Sequence, residues 1–248
     1  MKYHFAADLH THTLASGHAY GTIRENVEGA RAAGIQVLGA TEHAPGIPGT
    51  VDPFYYRNIK VVPKRIHGVS ILHGSEINVL EDGTLSLEAQ FMKYLDYAIV
   101  GIHTVCYHDQ GRRKNTDNVI ACMQHPKVKI VSHPDDDHTP LDYERLVAAA
   151  KQYNVALEVN NSSFKKPDRR INCLDNYRTM LGLCTAQRVP IVVDTDAHDP
   201  SAVGRMDLAA AFLESVRMDP ELILNLRGNL EKLMAFLRVD NEMPYDAK

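Results

Sequence analysis

A chain of 248 residues, 44% hydrophobic and 23% charged, carries enough apolar material for one large α/β barrel or two smaller domains. Its formal net charge of −4 argues against a general binder of nucleic acid or of anionic membrane surfaces. No stretch approaches the roughly 18 uninterrupted apolar residues of a membrane span, and no leader-like segment precedes the first strand pattern, so a soluble, cytoplasmic protein is expected.

Strand-like runs, short and rich in β-branched residues, fall at 5–12, 36–43, 69–76, 97–103, 128–133, 155–160 and 190–198. Helical patterns separate them at 22–33, 87–95, 116–124, 143–153 and 173–187, and two more follow at 202–218 and 220–238. This alternation predicts a parallel sheet with helices outside it. Residues 44–65, rich in Gly and Pro, read as a long loop, and no linker interrupts the series, so residues 1–248 are expected to form a single domain. Cys106, Cys122, Cys173 and Cys184 lack C-x-x-C spacing and are expected to be free thiols. Histidine is the unusual residue: there are 13, and no tryptophan.

The first strand, FAADLHTHT, is expected to set Asp8, His10 and His12 on one face, because alternate residues of an extended chain share a side. His-x-His on one face is a two-toothed metal chelate, with the aspartate available as ligand or hydrogen-bond partner. Six of the seven strand patterns end in His, Asp or Glu: His12, His43, Glu76, His103, His133 and the Asp196/His198 pair. In a (β/α) barrel all the strands' carboxyl ends open on one face, where active sites lie, so these side chains would meet at one mouth. Asp194, Asp196 and His198 repeat on the last strand the pattern of the first, and barrel closure would set the two triplets side by side. Gly74 and Gly101, each two residues before a candidate ligand, are expected to face inward and leave room beneath a crowded cluster. His18 can fold back over the mouth.

His10, His12, His18, His43, Glu76, His103, His133, Asp196 and His198 make nine candidate ligands. Catalytic zinc takes about three protein ligands and keeps one position open, so nine fit two or three ions. A mixed imidazole and carboxylate set suits zinc, manganese or iron better than calcium or magnesium.

The segments DLHTHT (8–13), SGHAY (16–20), TEHAP (41–45), GSEIN (74–78), GIH (101–103), SHP (132–134), EVNNSSF (158–164) and DTDAH (194–198) span nearly the whole chain. With them, the sequence resembles the PHP (polymerase and histidinol phosphatase) family, most closely its small stand-alone, YcdX-like phosphatases. The resemblance implies a distorted (β/α)7 TIM-like barrel, the PHP fold, with a trinuclear centre that usually holds zinc. It implies one metal on His10, His12, Glu76 and Asp196, and a second sharing Glu76 and adding His103 and His133. A third would lie on His18, His43 and His198. Glu42 departs from the family's more frequent Asp, and parity turns its side chain away from the cluster. The acidic loop Asp135, Asp136, Asp137, His138 is a second departure, expected to form solvated surface.

The chemistry expected is phosphate removal from a small phosphorylated metabolite. Clustered cations bind phosphoryl oxygens and lower the pKa of bound water to about 7, which makes a metal-bound hydroxide the nucleophile. Glu76 and Asp196 would bridge and position the metals, with Asp8 and Asp194 behind the ligands as orienting carboxylates. Asn161, Lys166 and Arg170, in the loop after the sixth strand, are candidate substrate contacts, set against the ordinary reading of a charge run as solvated loop. Three rival readings stand beside this one: an amidohydrolase-like C–N hydrolase, a phosphodiesterase or nuclease of the same fold, and a non-catalytic metal-binding or partner-binding domain. His43 and Glu76 as extra ligands weigh against the first, and the acidic balance and lack of a basic aromatic groove against nucleic acid. The intact ligand set weighs against the third. Self-association stays open. His4, His67, His73, His108 and His125 fall outside the scheme.

Overall fold

Parallel pairing of the apolar runs builds the sheet. The computed structural model of the chain describes residues 3–166 and 168–238. Strands β1 (Ala7–Thr11), β2 (Val37–His43), β4 (Val69–Asn78), β5 (Ala98–Gly101), β6 (Val128–Val131), β7 (Ala156–Asn160) and β8 (Ile191–Asp194) pair in that order. A two-residue strand, β3 (Arg65–Ile66), adds antiparallel to β4 at the end of the expected loop. The result is a nearly closed, TIM-like barrel with helices outside.

Helices α1 (Ile23–Ala33), α4 (Arg112–Met123), α5 (Tyr143–Tyr153), α6 (Cys173–Gln187), α7 (Asp207–Ser215) and α8 (Leu230–Leu237) alternate with or follow the strands. Two one-turn helices, α2 (Phe54–Arg57) and α3 (Ala89–Met92), lie in connections. Local chemistry places the ends. Thr22 and Glu25 form a reciprocal capping box at the start of α1, and Gly34, at φ 77°, ends it in a left-handed turn. Asp142 caps α5 by accepting from Arg145 N–H, and Asn154 closes it at φ 55°.

The expected terminal helix over 220–238 is helical in its α form only from Leu230, for a tertiary reason. Residues 223–226 run extended beside the sheet: Ile223 bridges Ile191 of β8, Leu226 bridges Phe5, and Asn225 O accepts from Ala6 and Ala7 N–H. The segment wedges between β8 and β1 at the amino end. At the carboxyl end the two strands meet through a Thr11–Ala197 bridge and the His12 N–H to Ala197 O bond, at 2.8 Å. Side chains lace the rest of the seam. Asn225 takes Val193 N–H on Oδ1 and donates Nδ2 to Ala7 O and Val193 O, while Asp194 accepts from Leu9 N–H at 2.7 Å.

The core divides into two shells. Leu38, Ile71, Val100, Leu157 and Val193 face the helices, whereas Ala7, Leu9, Val37, Leu72, Ile99, Ile130 and Val192 pack inside the barrel. Leu233, Met234 and Leu237 of α8 join the inner shell and plug its amino end. Burying such side chains contributes about 1.5–3 kcal/mol each. Among the described residues, no helix is long and apolar enough to cross a membrane.

Candidate metal centre

The carboxyl ends of the strands bring the nine residues to one mouth. Register does part of this, since His43 of β2 lies directly opposite Glu76 of β4. Backbone strain does another part. His133 and Asp196, each just beyond a strand, adopt positive φ of 31° and 52°, a region uncommon for non-glycine residues.

Glu76 is the hub. Its Oε1 lies 2.8 Å from His133 Nε2 and 3.2 Å from His103 Nε2, while Oε2 lies 2.9 Å from His43 Nδ1 and 3.2 Å from His10 Nε2. His12 Nε2 stands 3.1 Å from Asp196 Oδ1, and His18 Nε2 is 3.0 Å from His198 Nε2. Potential ligand atoms converge in three overlapping groups: His10, His12, Glu76 and Asp196; His43, Glu76 and His103; and His12, His43 and His198.

The outer ring nitrogens set the chemistry of the inner ones. His10 Nδ1 sits 2.7 Å from Glu158 Oε1, and His103 Nδ1 is 2.7 Å from Asn78 Oδ1. His198 Nδ1 meets the carbonyl of Asp196, and His12 Nδ1 meets Ser16 Oγ, whose own proton goes to Glu42. Each partner accepts, so each Nδ1 carries a proton and Nε2 is the ring atom left for a cation at the centre. Such rings are oriented and tautomerised as metal ligands need to be. His43 Nδ1 and Glu76 Oε2 are buried and close, yet neither has a hydrogen-bond partner. Two orphaned acceptors facing a shared space fit a cation.

Beneath the cluster, small residues make room. A Cβ on Gly101 would lie 2.3 Å from Ser132 Oγ and 3.1 Å from His133 Cε1. Tyr97 spans the floor lower down and donates its hydroxyl to Leu9 O; a Cβ on Gly39 would lie 2.0 Å from that hydroxyl. Gly74 also faces inward, against Thr41 and Tyr97.

The comparisons with known proteins agree with this geometry. The PHP domain matches residues 8–162. A probable phosphatase of Clostridium novyi (strain NT) is 38% identical over 239 residues, covering 96% of each chain. The chain belongs to the PHP family. Another such relative, a probable phosphatase of Caldanaerobacter subterraneus subsp. tengcongensis, is 37% identical over 96% of this chain and 93% of its own. Among solved structures, histidinol phosphate phosphatase of Lactococcus lactis, in complex with zinc, L-histidinol and phosphate, superposes with a TM-score of 0.59. It is 16% identical, covering 86% of this chain and 94% of the other, and so shows the shared PHP fold.

Electrostatics divides the candidate ligands into two kinds. Burial works against charge on His10, but Glu76, Glu158 and Asp196 prevail and hold its pKa well above the ordinary imidazole value. Burial, with neighbouring imidazoles, pushes His12 well below and His18 lower; it also lowers His103 despite Glu76. Glu76 and Asp196, although buried, are held well below the usual carboxylate range by the imidazoles around them. The lowered group stays neutral as pH falls through the usual imidazole range, which moves acid loss of metal below pH about 6. His10 behaves oppositely: its surrounding carboxylates favour the protonated ring, so a cation arriving there competes with a proton. Calorimetric titration of Zn2+ at pH 7, in buffers of different ionisation enthalpy, is expected to report at least one proton released per chain. No release would refute the place given to His10.

Several sequence expectations change. The even alternation of β1 breaks at a register shift between Asp8 and Thr11. Ala7 and Leu9 enter the inner shell, and Asp8 turns to the seam, accepting from Thr195 N–H, Thr195 Oγ1–H and Gly204 N–H. Burial lifts its pKa to about 6 despite those bonds. Asp194 likewise spends an oxygen on Leu9 N–H. Both carboxylates lace the barrel shut, and the imidazole-orienting role expected of them falls to Glu158. Asn161, expected at the mouth, is buried and caps α7, its Oδ1 accepting from Leu208 and Ala209 N–H. The acidic loop is not solvated surface. Asp135 is fully buried and pairs with Arg170 at 3.1 Å, Asp136 accepts from Ile171 N–H, and Asp137 takes Asn172 and Asn176 Nδ2–H, so the loop clamps residues 170–176.

Glu42 does face away from the cluster, as parity requires, but it is buried and accepts from Thr13 N–H, Thr13 Oγ1–H and Ser16 Oγ–H. Sequence reasoning missed Glu158, Asn78 and Ser16. Parity was the available signal for the first two, since Glu158 lies two residues before Asn160 and Asn78 two after Glu76. His73 is packed, buried without a ring hydrogen bond.

Two cavities, of about 560 and 520 Å³, open on the cluster and share His18, His43, His103, Lys166 and Arg170. A third, of about 640 Å³ and lined by Phe5, Ile35, Met206 and Arg227 among others, includes none of the nine ligands.

Proposed function

We propose that this chain is a metal-dependent phosphatase that releases phosphate from a small phosphomonoester at a trinuclear centre. Zn2+ is the expected metal, with Mn2+ or Fe in some positions. The observation that carries the reading is the convergence of oriented imidazole lone pairs on Glu76 and Asp196 below a mouth lined by Lys166 and Arg170. His10, His12, Glu76 and Asp196 would hold one ion. Glu76, His103 and His133 would hold a second, and His18, His43 and His198 a third, with His43 close enough to Glu76 to touch either of these two positions.

Clustered cations supply positive charge for phosphoryl oxygens and activate water. The chain's own residues do the rest. Glu76 spaces the ligand rings around it, Glu158 and Asn78 hold the outer protons of His10 and His103, and Arg170 aims at the mouth. Asp135 and the carbonyl of His133 fix one Nη of that guanidinium. Among the described residues its remaining N–H groups have no hydrogen-bond partner, which leaves them to meet a phosphate dianion. The names of the relatives, and the zinc and phosphate bound by the Lactococcus enzyme, support the reading.

Elemental analysis of protein purified without chelator tests the centre: about three equivalents of metal are expected, and one or fewer would refute it. Assays on p-nitrophenyl phosphate, bis(p-nitrophenyl) phosphate and an amide test the reaction. A metal-replete protein inactive on every monoester would pass the site to the diesterase, C–N hydrolase or binding-only reading. Arg170→Ala is expected to raise KM for phosphomonoesters about tenfold or more, the scale of a lost charge-assisted hydrogen bond. Arg170→Lys, which keeps the charge beside buried Asp135, is expected to lie between. Unchanged KM in both would remove Arg170 from the binding site.

A further inference from the structure

We propose that the lobe of about 520 Å³ beside the cluster is a subsite for a second anionic group, so that the substrate is a phosphomonoester also bearing a carboxylate or another phosphate. The inference rests on the phosphatase reading and names the substrate class for it. Because the lobe is lined by His18, His43 and His103, a molecule with its phosphate on the cluster extends into it.

Charge in this lobe is unbalanced. Lys166, Arg169 and Arg170 line it against a single carboxylate, Asp136. That carboxylate is already engaged: its Oδ1 accepts from Ile171 N–H, His138 N–H and His138 Nδ1. Arg170 is partly neutralised by Asp135. Lys166 and Arg169 have no carboxylate partner among the described residues. The facing wall contains Ile47, Pro48 and Val105. These side chains can pack against a carbon skeleton, and Thr104 beside them adds a single hydroxyl. An anion gains two cations that have no carboxylate partner among the described residues, each able to contribute roughly tenfold or more through a charge-assisted hydrogen bond.

Binding of non-hydrolysable probes to the metal-loaded full chain tests the subsite. Propylphosphonate, 3-phosphonopropionate and propane-1,3-diphosphonate share a phosphonate and a three-carbon body and differ in the second group. Calorimetry is expected to show at least one of the two doubly anionic probes binding tenfold or more tightly than propylphosphonate, and which one leads tells carboxylate from phosphate. Arg169→Glu and Lys166→Glu are each expected to collapse that ratio. Equal binding of all three probes, or a preference that survives both substitutions, would overturn the proposal. A preference intact in a protein that releases phosphate from no ester would support the subsite and overturn the phosphatase reading.

Discussion

Glu158→Ala is expected to reduce metal retention at the His10 position and to lower phosphate release by roughly ten- to a hundredfold, the usual cost of removing an outer partner of a metal-ligating histidine. Glu158 is fully buried, with one oxygen 2.7 Å from His10 Nδ1 and the other 2.7 Å from His133 N. Alanine would leave both N–H groups buried without acceptors and release two ligands from one support. Glu158→Gln keeps the volume but has only one acceptor oxygen. If that oxygen stays on His133 N–H, the amide NH2 faces His10 Nδ1 and drives the ring proton to Nε2, the atom that faces the metal. Gln is therefore expected to fail in metal binding as well, while circular dichroism stays that of the folded chain. Wild-type metal content and activity in both variants would refute the role.

Asn225→Leu is expected to destabilise the barrel by about 3–9 kcal/mol, at roughly 1–3 kcal/mol for each buried polar group left unpaired. Leucine has the same branched heavy-atom skeleton, with somewhat more bulk, but satisfies none of the three backbone groups that the carboxamide joins: Val193 N–H at 3.1 Å, Ala7 O at 3.0 Å and Val193 O at 2.5 Å. Against a typical margin of about 5–15 kcal/mol, this is a large loss. Urea unfolding of chelator-treated protein is the measurement, because bound metal would add its own stabilisation. A change under about 1 kcal/mol would mean that the β8–β1 seam closes without Asn225.

The seam shows why some features of the fold were illegible. Periodicity finds strands and helices because side-chain direction repeats locally. It finds no reason for residues 223–226 to leave a helical pattern, since their partners, Phe5 to Ala7 and Ile191, lie in other parts of the chain. The β1 register shift is hidden in the same way. Strict alternation puts Asp8 beside His10, whereas Tyr97 donating to Leu9 O and Asp194 accepting from Leu9 N–H belong to a different local path. The acidic loop misled for a related reason: charge implies solvent until a partner is known, and Arg170 is 35 residues away.

The sequence by itself determined the candidate ligand types and the face on which they gather. A strand's period of two and the common direction of parallel strands are enough to bring His10, His12, His43, Glu76, His103, His133, Asp196 and His198 to one mouth. Only the tertiary structure decided which nitrogen of each ring faces inward, which carboxylates orient rings and which close the barrel. Those choices rest on hydrogen bonds such as His10 to Glu158, across 148 residues of chain, where sub-ångström placement decides whether an atom accepts, donates or binds metal.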